Sequence, residues 1–238
     1  MRRIREAMPG ALRRDREAAD AGISLAELLV TITIFGIMMA VVMGIFVSLT
    51  RATSLGQKTD ANVRQASNGM NEMSRIIRAG TNNPVQNAAP TPAFGDASRE
   101  SLTVFAFVNF KDTTQRPIRV TFSIDTQRRL LETTTQATDI GSGYWNFTGA
   151  TSTSATRVIA TAVAPQQGSD PALFSYLGAD GAAIAPQASG SLLPAQWPLV
   201  AAVQITLKVK NSSTSTDTGV TLQNTVGIPN LTNTGAVS

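Results

Sequence analysis

The chain has 238 residues, with 20 Lys and Arg against 16 Asp and Glu, and it contains neither histidine nor cysteine. That length allows one sizeable domain plus an anchor, or two small domains; the missing thiols and imidazoles exclude disulfides, the usual zinc sites and the Ser-His-Asp and Cys-His nucleophilic systems. The lysines are only Lys58, Lys111, Lys208 and Lys210, in no recognisable catalytic motif, so the composition reads as a non-enzymatic protein with no metal and no cofactor.

Residues 1–22 hold six arginines (2, 3, 5, 13, 14 and 16) against four acids, Glu6, Asp15, Glu17 and Asp20. Without that segment 14 basic and 12 acidic residues remain, a net of +2, so part of the formal +4 belongs to it. Nucleic-acid affinity by counterion release needs clustered Lys and Arg, and a nucleic-acid partner is not supported by so balanced a chain. No apolar run lies within residues 1–22. An ordinary secretory signal would carry its apolar segment ahead of the cut and lose it; here the apolar segment follows.

That segment is residues 22–50, GISLAELLVTITIFGIMMAVVMGIFVSLT, which has no charged residue from 28 to 50. At ~1.5 Å per residue the uncharged run makes a helix about 35 Å long, enough for a hydrocarbon core of ~30 Å. Arginines ahead of it argue for a cytoplasmic N-terminus, a contrast weakened by Arg51, Lys58 and Arg64. Glu27 is the one ionisable group at the head of the run. An acid near the bilayer core costs on the order of 2.5–3.5 kcal/mol and is usually paired and functional; the plain alternative is a carboxylate solvated at the headgroup level. Gly36 and Gly44 either soften the helix, at ~1 kcal/mol each relative to alanine, or allow close helix-to-helix packing.

The stretch G-I-S-L-A-E-L-L-V at residues 22–30 closely resembles the processing site of type IV pilins and type II secretion pseudopilins. Ile23 stands where that family most often has Phe, and Ala26 where it more often has Ile or Val; both remain apolar. The resemblance implies that a prepilin peptidase cuts between Gly22 and Ile23, that the new amino group of Ile23 is methylated, and that Glu27 serves assembly by pairing with the amino terminus of a neighbouring subunit. Glycine at the cut has its own rationale, since a residue without Cβ lets the backbone extend and approach a catalytic centre closely. The partners implied are the peptidase, other major and minor pilin subunits, an inner-membrane assembly platform, and membrane lipid before assembly. The implied location is the cytoplasmic membrane, single-pass, followed by an extracytoplasmic pilus or pseudopilus.

Beyond Thr50 the helix is expected to continue to about Ala79. Val63, Ala66, Met70, Met73 and Ile77 recur at steps of three and four and share a face, while Arg64, Asn68, Asn71, Glu72, Arg75 and Arg78 fall largely elsewhere. Gly80 reads as a C-cap and Pro84 as a stop. Residues 81–98 are rich in Pro, Asn and Ala and read as a surface loop.

A strand domain follows. Residues 102–108 carry apolar side chains on both faces, which suggests a strand buried on both sides, one of them under the helix. Residues 118–124 alternate cleanly, Asp125 to Gln127 turns the chain, and residues 130–135 return as a hairpin partner. Tyr144, Trp145 and Phe147 form an aromatic group in a less legible middle, with short strand candidates at 157–163 and 173–177; residues 178–198 read as loop. Residues 178–181 and 168–171 hold lone aspartates in Gly-containing turns, too few carboxylates for a calcium site. Residues 203–210 and 220–226 form a last hairpin about an exposed turn, and the tail from Pro229 has little to bury.

The expected fold is therefore α+β: a pilin fold with a long helix packed on a mainly antiparallel sheet. Its expected parts are a leader (1–22), a membrane or filament-core helix (23–50), an amphipathic continuation (51–80) and an extracytoplasmic β-rich domain (81–238). The layout is most similar to minor pseudopilin J and PilW-like minor pilins, which implies a minor subunit acting in priming or in a tip complex. The rival expectation is a membrane-anchored adhesin, or a receptor for DNA or another ligand, displayed by the β-domain.

Overall fold

A computed structural model describes residues 23–108, 116–148, 152–168, 170–212 and 218–229. The expected leader, its last residue Gly22 and the tail beyond Pro229 lie outside the described residues. The chain divides into two compact units between Ser54 and Leu55.

The first unit, as described, is helix alone. Helix α1 runs from Leu25 to Arg78 and opens with the apolar run. None of its residues from 25 to 54 is buried, and it is long and apolar enough to cross a membrane. The hydroxyls of Thr31, Thr33 and Thr50 donate to the carbonyls of Glu27, Leu29 and Phe46 at 2.7–2.9 Å. Folding each hydroxyl back on its own helix satisfies a polar group that apolar surroundings would otherwise penalise.

In the second unit α1 buries Ala66, Gly69, Met70, Met73, Ser74, Ile76 and Ile77. Full burial of a Met or Ile contributes roughly 1.5–3 kcal/mol, so this stripe accounts for much of the helix's attachment. Val63, expected on the same face, is 42% exposed. At its level the rim of the domain is polar: Asn62 Nδ2 donates to Asn211 Oδ1 at 2.9 Å and Gln65 Nε2 to Thr161 Oγ1 at 3.0 Å. Gly80 ends the helix for a different reason from the one expected. It bridges to Ala106, and a Cβ there would lie 2.9 Å from the Ile77 carbonyl and 3.4 Å from Val104 and Ile228. Its φ is not positive, and the last turn simply tightens, with the Gly80 N–H bonded to Ile77 O at 3.0 Å.

The strands form two main antiparallel sheets rather than the single one expected. In the first, β1 (Phe94–Ala97), β2 (Ser101–Ala106), β3 (Ile118–Ile124) and β4 (Leu130–Gln136) lie side by side. A small hairpin of β5 (Thr138–Asp139) and β6 (Trp145–Asn146) intervenes before β7 (Ser154–Ala160) pairs with β4 and closes that sheet. The second sheet has the order β11-β10-β8-β9, with β8 at Phe174–Leu177, β9 at Ala183–Ile184, β10 at Ala202–Val209 and β11 at Val220–Gly227. The stretch read as loop at 81–98 thus ends in β1, and that at 178–198 contains β9 and a 3-10 helix, Pro194–Leu199. Bridges Ser98↔Ser191 and Val163↔Val209 join the sheets.

Strand β2 is buried on both faces, as its sequence suggests, and one of them shares its core with α1. Leu102 and Val104 enter the main core, whereas Phe105 meets Phe147 at 5.2 Å between ring centroids, beneath the segment around β6. The hairpin β10–β11 points Val203, Ile205, Leu207 and Val209 into the core. Helix α1 is tied to the outermost strand of each sheet. Glu72 meets Arg157 on β7, and Ser74 Oγ accepts from Asn224 Nδ2 on β11 at 3.0 Å. Gly69 faces the same junction, where a Cβ would stand in ordinary contact at 3.4 Å from Leu207 and 3.6 Å from Ile159 O. Covering strand edges with a helix is one way a fold protects them from pairing with other chains.

Candidate functional site

The residues singled out by sequence gather at the head of α1. Gly22 lies outside the described residues; Ile23 follows it, 74% exposed. Ser24 is the helix N-cap: its carbonyl accepts the Leu28 N–H at 3.0 Å and its Oγ accepts the Glu27 N–H at 3.2 Å. Glu27 is thus the third residue of the helix in an S-x-x-E arrangement, the pattern of a capping box. The sequence reading weighed Glu27 only as a paired acid or a solvated one, although Ser24 three residues earlier carried the signal. A carboxylate in the first turn also favours the helix dipole by roughly 0.3–1 kcal/mol. Glu27 is exposed and makes no ion pair among the described residues, so it keeps its full capacity for a cation supplied from elsewhere.

Along the helix, Gly36 and Gly44 have open space where a side chain would stand, and the helix runs unbroken through both. Gly44, Ser48 and Ala52, four residues apart, floor a shallow groove walled by Val41, Ile45 and Leu49. Small residues at this spacing let a second helix approach closely.

Where α1 joins the sheets, the charges are structural. Arg157 Nη2 lies 2.6 Å from Glu72 Oε1 and 2.8 Å from Glu132 Oε2, and Arg75 adds bonds of 2.7 and 3.1 Å to Glu72. The hydrogen bond from Arg75, reinforced by the charges of Arg75 and Arg157, holds the Glu72 carboxyl below its ordinary value against the opposing effect of burial. The aspartates of the two Gly-containing turns, Asp170 and Asp180, are engaged within the fold. Asp180 Oδ1 accepts the Ala182 N–H at 2.9 Å within its own turn, and Asp170 pairs with Lys208 at 3.4 Å.

The site is thus an apolar helix, long enough to cross a membrane, with an acid at its head and no buried residue from 25 to 54. No protein-family model matches the chain, and comparison with curated proteins returns no match.

Proposed function

We propose that this chain is a filament subunit of the type IV pilin and pseudopilin kind, held in the membrane by α1 until it is cut between Gly22 and Ile23 and drawn into a fibre. The observation that carries the reading is an uncharged stretch, residues 28–50, none of it buried, directly after G-I-S-L-A-E. Such a surface needs either lipid or neighbouring apolar helices around it. Both come in sequence under this reading, lipid first and the packed helices of the fibre afterwards. Methylated Ile23 opens the mature chain, and Glu27, capped in the first turn and without a partner of its own, accepts the amino terminus of the adjacent subunit. One buried carboxylate matched to one ammonium would fix the register of docking. The β-rich unit fits a minor subunit that primes assembly or sits at the tip, in the company of other pilins and an inner-membrane platform.

The test is the intact mass of the protein from its native cells. The expected species begins at Ile23 and is heavier by one methyl group; a chain beginning at Met1 in cells that hold the peptidase would refute the proposal. Gly22→Val is expected to block processing in the same assay. A second reading, a membrane-anchored binding protein, is favoured by a cavity in the β-rich unit and requires neither cleavage nor Glu27.

A further inference from the structure

Strand β7 ends the first sheet, and no strand pairs with its outer edge among the described residues. Its first five residues, Ser154 to Val158, are all exposed. The other strands at sheet margins show no such run. Beside β1 the Leu192 N–H bonds Ala97 O at 2.7 Å and the Arg99 N–H bonds Gly190 O at 2.9 Å; β9 has two residues, and β11 mostly alternates exposed with partly buried positions. Helix α1 guards only the far end of β7, where Gln65 bonds Thr161 and Gly69 stands beside Ile159 O.

Register decides which backbone groups of β7 face outward. The Gln136 N–H bonds Thr153 O at 2.9 Å, so that pair is a hydrogen-bonded one. Bonded and non-bonded pairs alternate along an antiparallel ladder, which makes Thr134–Ala155 and Glu132–Arg157 the next bonded pairs. Ser154, Thr156 and Val158 therefore turn their N–H and C=O groups away from β4. The side chains agree, since they approach closely at non-bonded pairs: Thr133 Oγ1 lies 2.9 Å from Thr156 Oγ1, and Thr135 Oγ1 lies 2.9 Å from Ser154 Oγ. Such a row of outward groups is a template for another extended chain, and folds usually blunt it with Lys, Pro or a bulge. Residues 154–158 contain neither Lys nor Pro, the ladder's irregularity lies beyond them, and their one charge, Arg157, is drawn back to Glu72 and Glu132.

The side chains select the occupant. Thr103, Thr121, Thr133 and Thr156 stand opposite one another on β2, β3, β4 and β7, forming one row of threonines across the sheet. That row stops at exposed Thr156. Antiparallel pairing of β7 with β7 of a second copy, about a two-fold axis at Thr156, sets threonine opposite threonine and continues the row. The same axis sets Ser154 opposite Val158 and Ala155 opposite Arg157, so no two arginines meet and the smallest side chain faces the largest. Thr–Thr pairs are favourable across strands, whereas like charges directly opposed are not. We infer that two copies of this chain associate through β7 and join their five-stranded sheets into one. Such a contact is self-complementary and closes on itself. One strand pair is a smaller contact than the ~1,000 Å² of a permanent complex, so the dimer is concentration-dependent. The inference does not depend on the filament reading.

Because the chain has no cysteine, single-cysteine variants of the full chain in detergent report the contact directly. Opposed residues of a hydrogen-bonded pair have Cα atoms ~5.5 Å apart. That is within disulfide reach, so mild oxidation is expected to link Thr156→Cys into dimers roughly tenfold more than Ser154→Cys or Val158→Cys alone. Those two stand about 14 Å from their own copies, four strand steps of ~3.4 Å, and should link only when mixed with each other. Thr225→Cys, exposed on β11, is the control. Sedimentation equilibrium in density-matched detergent should show a monomer–dimer equilibrium for the unaltered chain. Thr156→Pro removes an outward N–H and no β4–β7 bond, and Thr156→Lys sets like charges across the axis; both are expected to remain folded by circular dichroism and to be monomeric. The inference is overturned if the unaltered chain is monomeric at every concentration, or if Thr156→Cys links no better than Thr225→Cys. It is equally overturned if Thr156→Cys in native membranes links only to a different protein, or if Thr156→Lys associates as the unaltered chain does.

Discussion

The Arg157 guanidinium on edge strand β7 lies 2.6 Å from the Glu72 carboxylate on α1, across 85 residues of sequence. The same nitrogen reaches Glu132 at 2.8 Å, and Glu132 is only 6% exposed. Arg157→Ala would leave Glu132 with the Thr134 hydroxyl at 3.3 Å and the charge of nearby Arg75, but without its bonded cation. Losing one partner of a fully buried pair costs about 3–5 kcal/mol, and the half-open position of Arg157 lowers the expectation to roughly 2–3 kcal/mol. Urea denaturation of the full chain in detergent measures it, and Glu132→Gln in the Arg157→Ala background should recover most of the loss. A change within ~0.5 kcal/mol for Arg157→Ala alone would show that the pair does not hold the helix.

The same node has a pH signature. Arg75 and Arg157 hold the Glu72 carboxyl below its ordinary value of 4.5. A depressed carboxyl contributes stability that is complete above its unfolded pKa and is lost as pH falls through the folded one. Thermal unfolding is therefore expected to lose Tm more steeply between roughly pH 5 and pH 3 in the unaltered chain than in Glu72→Gln. Parallel profiles for the two would contradict the assignment.

Long periodic segments were legible from the residues themselves because one periodicity persisted over enough positions. Met70, Met73 and Ile77 announce a helix face, and Val203, Ile205, Leu207 and Val209 a strand face. Strand β1, FGDA, has no alternation and contains Gly and Asp, so only its pairing with β2 makes it a strand. The two-sheet arrangement was not legible because pairing partners are set by contacts far apart in sequence, such as Val163 with Val209. Gly80 illustrates a right boundary reached by a different cause: crowding by Ile77 O, Val104 and Ile228 excludes a side chain, and that crowding exists only in the folded unit. At the candidate site, Ile23 and Glu27 can be named from local pattern alone, and the Ser24 cap, three residues ahead of Glu27, is an equally local signal.

Ser24 and Glu27 can be separated by experiment. Ser24→Ala removes the cap at a cost of about 1 kcal/mol to the helix start, yet leaves the acid; Glu27→Gln keeps a capping-box side chain and removes the charge. If assembly depends on the carboxylate, Glu27→Gln and Glu27→Ala should both be processed normally and be depleted from sheared filaments at least tenfold, while Ser24→Ala is incorporated nearly as well as the unaltered chain. Equal depletion in Ser24→Ala would reduce Glu27 to a helix-capping residue.

Gly44 decides between the two uses that an interior glycine could have. Either the helix must loosen there as subunits enter the fibre, or the groove of Gly44, Ser48 and Ala52 must stay open for a neighbouring helix. Alanine strengthens the helix by ~1 kcal/mol but fills little of the groove; leucine strengthens it almost as much and fills the groove completely. Loosening would make Gly44→Ala harmful, whereas packing makes it tolerated and Gly44→Leu harmful. Because the Gly44 Cβ direction is open, neither change should disturb the isolated chain, and a difference in filament incorporation reports on contacts made only in the fibre. The expected order is the unaltered chain and Gly44→Ala together, with Gly44→Leu several-fold lower. Quantitative immunoblots of sheared filaments from cells expressing each variant at equal membrane levels would measure it, and a loss already complete in Gly44→Ala would assign Gly44 to unwinding instead.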